Sequence, residues 1–215
     1  MISPPSQPDQ TTTPTWTVVI SRGQSRNPAK RALEQSIADS VAEREGVGVL
    51  IVPHLYDLPK GSESLEKLRA QQGNLIVVSW IFPRAAHWVL DRNDVRGQFR
   101  SVSIGDSEED EHDDTTSPDP EVDRVADLYP RPDREMHFID LKAEAELDRF
   151  AGEIRQLILG DASTPPSGDD LTSLPIVGGQ IVQVDETTKR RWYPVIDFDR
   201  CTNCCLLYTS PSPRD

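Results

Sequence analysis

Runs of apolar residues alternate with amphipathic segments along the first 160 residues of the chain. Nearly continuous apolar runs at residues 47–52 and 75–79 are typical of strands that are covered on both faces of a sheet. β-Rich runs at 15–20 and 136–140 predict further strands, and residues 98–104 predict a weaker one. Because helical patterns separate these runs, we predict an α/β fold with a mainly parallel sheet flanked by helices.

Capping residues mark the ends of the predicted helices. Asn27 is suited to an N-cap and Pro28 to a first helical turn, so a helix is expected to follow them. Ser62 caps a second predicted helix, and Pro83 opens a third. A fourth, between residues 147 and 160, has one apolar face and ends at a glycine.

Composition divides the chain into a domain and appendages. Residues 1–14 are mostly Pro, Thr, Ser and Gln and predict a disordered tail before an α/β domain at 15–160. That domain contains an acidic insert at 105–125, in which residues 106–114 carry seven carboxylates. Like charges repel, so the insert is expected to be solvated, and the alternative is a structural interaction module in which it recruits a basic partner. A polar linker is predicted at 161–173.

Bulk properties limit the classes of partner and location. At 215 residues with 36% hydrophobic content, the chain has material for one core of ordinary size. The net charge of −13 disfavours nucleic acid, which binds clustered Lys and Arg. The first 14 residues lack the apolar region of a secretory signal, and no apolar run is long enough for a transmembrane helix. We therefore expect a cytoplasmic protein with no membrane contact.

The cysteines lie close together near the end of the chain, at positions 201, 204 and 205, with none before them. This distribution does not suit a disulfide framework and indicates metal or redox chemistry in a reducing compartment. Residues 174–204 lead to them, and the apolar segments at 176–184 and 191–196 predict a β-hairpin.

The last eleven residues, 205–215, read CLLYTSPSPRD. One back-translation of this string matches a transposase-type sequencing adapter, so we predict that the segment is not native protein. Cys205 then drops out of the candidate ligands, and Cys201 and Cys204 remain.

The segment before these two cysteines carries a family resemblance. Residues 192–204 (WYPVIDFDRCTNC) resemble the start of a ferredoxin-type 4Fe–4S domain, with the pattern V-I-D-x-D-R-C-x-x-C. Such motifs supply cluster thiolates at C-x2-C-x2-C spacing, and the next ligand position is occupied by Leu207, within the suspected adapter. The resemblance implies a truncated iron–sulphur electron-transfer protein with redox partner proteins, in which Cys201 and Cys204 bind one cluster.

Other chemistries share the same spacing. C-x2-C is also the first half of a tetrahedral zinc site, and it is the motif of thioredoxin-like dithiols. A thioredoxin-like fold would place the motif near its own start, whereas here an α/β domain comes first. The two cysteines without any chemistry are the remaining alternative.

The α/β domain has a second resemblance. The turn at residues 21–28 (SRGQSRNP), between a strand and a helix, resembles that of the sirohydrochlorin and cobalt chelatase family, and Ala86-His87 with Asp91 resembles that family's second histidine motif. The resemblance implies a metal-handling enzyme as the alternative function. Arg22 stands where the family has a metal-binding histidine, and a guanidinium cannot ligate a metal.

Candidate ligand residues gather after the predicted strands, because open parallel sheets bind ligands at the carboxyl ends of their strands. Arg22, His54 and His87 form the predicted ligand site of the domain. A structural role is the alternative for each histidine, and Arg22, Arg26 and Arg84 are candidates to bind an anion.

Overall fold

The computed structural model describes residues 16–44, 46–102, 104, 131–143, 146–160, 180–190 and 195–198. The strands are β1 (Trp16–Ser21), β2 (Val47–Val52), β3 (Asn74–Ser79), β4 (Gln98–Val102), β5 (Glu135–Asp140) and β6 (Ile181–Gln183). The helices are α1 (Pro28–Ala42), α2 (Glu63–Ala70), α3 (Pro83–Arg92) and α4 (Leu147–Gly160). All six described strands run parallel in one sheet of order β4-β5-β3-β1-β2-β6, which confirms the predicted fold class.

Both faces of the sheet are covered by helices. The core on one face contains Leu65 and Leu68 of α2 with Val89 of α3, and the core on the other contains Ile37 of α1 with Phe150 of α4. Every residue of β1 and β2 is buried, which is why their apolar runs are continuous rather than alternating. The connections through α1 and α4 lead toward the β6 edge, and both helices cover one face of the sheet. Those through α2 and α3 lead toward the β4 edge and cover the other face, so all four crossovers have the same hand.

The predicted helix starts are confirmed in atomic detail. The Asn27 side-chain oxygen accepts a hydrogen bond from the Ala29 N–H at 2.9 Å, and Pro28 occupies the first turn of α1. The Ser62 hydroxyl accepts from the Leu65 N–H at 3.2 Å at the start of α2. Each cap satisfies a backbone donor that has no partner inside the helix.

The segment predicted as the first arm of a hairpin is organised differently. Ile181–Gln183 pairs in parallel with Val49–Ile51 as β6, and the Val184 N–H donates to the Ile51 carbonyl at 2.9 Å. Residues 185–190 form no strand, and most of the expected second arm, 191–194, lies outside the described residues. Pairing with β2 satisfies an edge that would otherwise present open backbone groups, so the sheet continues beyond the predicted domain end at residue 160.

Several predicted segments lie outside the described residues: the tail at 1–14, the acidic insert at 105–125, the linker at 161–173, Cys201 and Cys204, and the segment at 205–215. None of the helices in the described part of the chain is long and apolar enough to cross a membrane.

Candidate functional site

A cleft of about 580 Å³ opens at the carboxyl ends of β1, β2 and β6. The helices that follow β1 and β2 cover opposite faces of the sheet, and ligands of open parallel sheets bind where connections diverge in this way. The volume suits a small molecule, whose sites span roughly 300–1,000 Å³. The charged and titratable residues of this arginine cleft are Arg22, Arg26, Arg31, Arg190, His54, Asp57, Asp185 and Glu186.

The loop between β1 and α1 forms one wall of the arginine cleft and is held by backbone contacts. The Arg22 N–H donates to the Val52 carbonyl at 2.9 Å and extends the pairing of β1 with β2. The Gly23 N–H donates to the Glu34 carboxylate at 2.8 Å, and the Arg31 guanidinium donates to the Gly23 carbonyl at 2.8 Å. Both polar backbone groups of Gly23 are therefore bonded to side chains of α1.

Glu34 is the central acceptor behind this loop. Its side chain is buried and also accepts from the Arg31 guanidinium at 3.0 Å and from the Trp80 indole N–H at 2.8 Å. A Cβ on Gly23 would lie 2.9 Å from Trp80 Cδ1, so a larger residue there would push the indole away from Glu34. One buried carboxylate thus joins the loop after β1, the first turns of α1 and the end of β3.

His54 lies in the arginine cleft within a polar cluster. The Gln24 amide nitrogen donates to both Asp57 carboxylate oxygens at 3.1 Å and lies 3.4 Å from His54 Nδ1. Burial lowers the pKa of His54, the Asp57 carboxylate opposes this effect, and the Arg190 charge adds to it. The imidazole is therefore expected to be neutral at neutral pH.

The segment after β6 forms the opposite wall. The Arg22 guanidinium donates to the Gln183 side-chain oxygen at 2.7 Å and lies 3.5 Å from the Asp185 carboxylate. The Glu186 carboxylate accepts from the Ser64 N–H in the first turn of α2. Side-chain contacts therefore join the segment after β6 to the loop after β1 and to the first turn of α2.

His87 does not lie in the arginine cleft. It is 1% exposed on α3, and its ring centroid lies 4.8, 5.3 and 5.6 Å from those of Trp88, Phe99 and Phe138. Neither ring nitrogen has a hydrogen-bond partner among the described residues. Burial lowers the pKa of His87 to about 4, with smaller contributions from the nearby arginine charges. We call these four side chains the aromatic cluster.

The predicted ligand residues are therefore only partly brought together. Arg22 and His54 line the same cleft, and His87 lies in the aromatic cluster. Among the described residues, no group of three or more His, Cys, Asp or Glu is placed to hold a metal ion. A metal site at His54 would need ligands from outside that part of the chain.

The residues that the sequence did not reveal include Arg190 in the arginine cleft and Glu34 behind it. Arg190 reaches the site because β6 joins the sheet beside β2, a contact between positions far apart in sequence. Glu34 lies at a position of α1 that shares a face with the apolar residues Ile37 and Val41. A carboxylate on an apolar helix face is the signal that could have revealed it, since such groups are buried only with partners.

Residues just before the cysteines contact α3. The Arg84 guanidinium bonds the Asp197 carboxylate through Nε at 2.8 Å and Nη2 at 2.7 Å. Phe198 packs edge-on against Trp88 with ring centroids 5.3 Å apart, and Val195 packs against the core that contains α2 and α3. The segment at 195–198 is therefore attached to the α/β domain by polar and apolar contacts.

Comparisons with family models, curated proteins and solved structures find no match to this chain. The resemblances to ferredoxins and to chelatases therefore remain predictions from the sequence, whereas the fold is seen directly in the structure.

Proposed function

We propose that the parent of this chain is a cytoplasmic iron–sulphur electron carrier of ferredoxin type that exchanges electrons with redox partner proteins. The observation that carries the proposal is the sequence Val195-Ile196-Asp197-Phe198-Asp199-Arg200 directly before Cys201-Thr202-Asn203-Cys204. Spacing of two residues between thiolates is that of the first ligands of a bacterial cluster loop. Nucleic acid is not among the proposed partners, since the chain carries a net charge of −13. No membrane contact is proposed either, because the sequence has no apolar run long enough for a transmembrane helix.

The donor chemistry suits a 4Fe–4S cluster but is incomplete. Cys201 and Cys204 would bind iron through soft thiolates, and a bound cluster would accept and release single electrons. Two thiolates are fewer than a cluster requires, so the proposal requires further ligands from outside the sequence up to Cys204. We expect the 215-residue chain alone to fold as its α/β domain and to hold no stable cluster.

The contacts of the segment at 195–198 support a fixed relation between domain and motif. Asp197 precedes Cys201 by only four residues, and one of its carboxylate oxygens accepts charge-assisted hydrogen bonds from two nitrogens of the Arg84 guanidinium. Phe198 against Trp88 adds an apolar contact one residue closer to the cysteines. The α/β domain would therefore restrain the segment that leads into the proposed cluster loop.

The test uses the native gene, sequenced independently through codon 204 and onward. The protein should be produced without oxygen and measured for iron, acid-labile sulphide, zinc and the electron paramagnetic resonance of its reduced form. We expect iron and sulphide in equal amounts and a signal that Cys201→Ser weakens or abolishes. The matched control Thr202→Ser keeps both thiolates and should leave the signal intact.

Two outcomes would overturn the proposal. The first is a continuation that encodes no further cysteines. The second is a protein that binds zinc in place of iron, which would assign the motif to a tetrahedral zinc site.

A further inference from the structure

The charges in the arginine cleft differ from those of the protein as a whole. The chain carries a net charge of −13, yet four arginines and three carboxylates line this cleft. Each of these carboxylates already has a partner: Asp57 accepts from Gln24, Asp185 from Gln183, and Glu186 from the Ser64 backbone. The acidic groups are therefore engaged within the protein itself.

The arginines are engaged less completely. Arg31 is paired with buried Glu34, and Arg22 is shared between Gln183 and Asp185. Arg26 and Arg190 are exposed, and neither forms an ion pair with any residue that the structure describes. Two guanidinium groups in one cleft thus retain donors for an outside ligand.

Guanidinium donors favour a particular class of ligand. Their planar fork matches the oxygens of phosphate and carboxylate groups and binds them through paired hydrogen bonds. The cleft volume of about 580 Å³ suits a small molecule rather than a polymer. The lining is dominated by charged and polar side chains, so an apolar ligand would leave these groups without partners.

We infer that the arginine cleft binds a small oxyanion, a phosphate ester or a carboxylate, through Arg26 and Arg190. Arg22 lines the same cleft and is held by its backbone bond to β2 and its side-chain bond to Gln183. None of the described residues that line the cleft is a cysteine, and the inference does not depend on the proposed electron-transfer function. A chain without a cluster is expected to bind the ligand equally well.

The test titrates the 215-residue chain with inorganic pyrophosphate and, separately, with citrate, by calorimetry at constant ionic strength. We expect saturable binding of at least one probe, weakened about tenfold or more in the double variant Arg26→Gln/Arg190→Gln, because two charge-assisted contacts are lost. Both arginines are exposed, so the variant should keep its fold and its unfolding temperature. Binding of pyrophosphate alone would identify a phosphate ligand, and binding of citrate alone a carboxylate.

The matched control is Arg155→Gln, which removes the same charge from an exposed position on α4 outside the cleft. It should bind both probes as the unmodified chain does. The inference is overturned if neither probe binds saturably, or if Arg155→Gln weakens binding as much as the double variant does.

Discussion

The arginine cleft and the aromatic cluster each contain a histidine, and the two sites are built from opposite materials. His54 lies among charged and amide groups, with the Gln24 amide 3.4 Å from its ring and the Asp57 carboxylate 4.0 Å away. His87 is surrounded by the rings of Trp88, Phe99 and Phe138, and its nitrogens make no hydrogen bond to any residue that the structure describes. His54 is therefore placed where it could contact a ligand, whereas His87 must stay neutral because its buried ring has no polar partner among the described residues.

The difference shows that a position after a strand does not by itself make a ligand site. His54 is the second residue after β2, so it stays at the carboxyl edge of the sheet. His87 lies within α3, where residues 86–90 are all buried, and the helix carries it into the core. Whether a polar residue can serve a ligand depends on the partners that the fold gives it. Each site can therefore be tested by removing the property that distinguishes it.

The largest expected effect is loss of the buried carboxylate behind the arginine cleft. Glu34→Ala would leave the Gly23 N–H and the Trp80 indole N–H without their acceptor and Arg31 without its ion pair. Removing one partner of such a network costs about 3 to 4 kcal/mol, because the remaining buried groups stay unsatisfied. Urea unfolding of the 215-residue chain measures this loss.

The matched control for this variant is Glu43→Ala, at the exposed C-cap position of the same helix. It should change the free energy of unfolding by no more than about 0.5 kcal/mol. A loss below about 1 kcal/mol in Glu34→Ala would contradict the central role assigned to this carboxylate.

The aromatic cluster predicts a pH effect of nearly the same size. The pKa of His87 falls from 6.5 to about 4 on folding. Above pH 6.5 the imidazole is therefore mostly neutral in both the folded and the unfolded chain, and its titration does not change the free energy of unfolding. As the pH drops below 6.5, the unfolded chain binds a proton that the folded chain takes up only near pH 4. The linkage costs about 3 kcal/mol across this window. His87→Leu should remove this cost, so the stability of the variant relative to the unmodified chain should rise as the pH falls.

Urea unfolding of both proteins at several pH values between 7 and 4 measures that difference. His54→Leu serves as the comparison, and it should keep most of the acid sensitivity of the unmodified chain. A His87→Leu variant that loses stability with acid as steeply as the unmodified chain would show that His87 is not held neutral.

Much of the fold follows from local sequence. The continuous apolar runs of β2 and β3 identify buried parallel strands, and Asn27 and Ser62 mark where helices begin. β6 could not be assigned in this way, because an apolar segment of its length pairs equally well with a neighbour in a hairpin. Its actual partner, β2, lies more than a hundred residues earlier in the chain.

The candidate site was predictable only where it stays close to the strand ends. Arg22 and His54 lie within two residues of the ends of β1 and β2, so the rule for parallel sheets finds them. Arg190 is brought to the same cleft by β6, and its role could not be predicted without that pairing. His87 resembled a motif histidine and shares helical spacing with Arg84 and Asp91, so the pattern places it on a polar face of α3. The structure nevertheless buries all of residues 86–90, and the tertiary packing that does so could not be read from the helical period.

The smallest expected effect concerns the charges around His54 and links it to the arginine cleft. Asp57 raises the pKa of His54 and Arg190 lowers it, both acting against a background of burial that lowers it further. Asp57→Asn should therefore shift the His54 titration to lower pH, and Arg190→Gln should shift it to higher pH. Proton NMR of the imidazole during a pH titration measures both shifts, with Asp39→Asn on the exposed face of α1 as an unshifted control. A bound oxyanion would neutralise the arginine charge, so the ligand should shift the His54 titration of the unmodified chain to higher pH, as Arg190→Gln does. If Asp57→Asn raises the pKa or leaves it unchanged, the polar cluster around His54 is not coupled as the geometry requires.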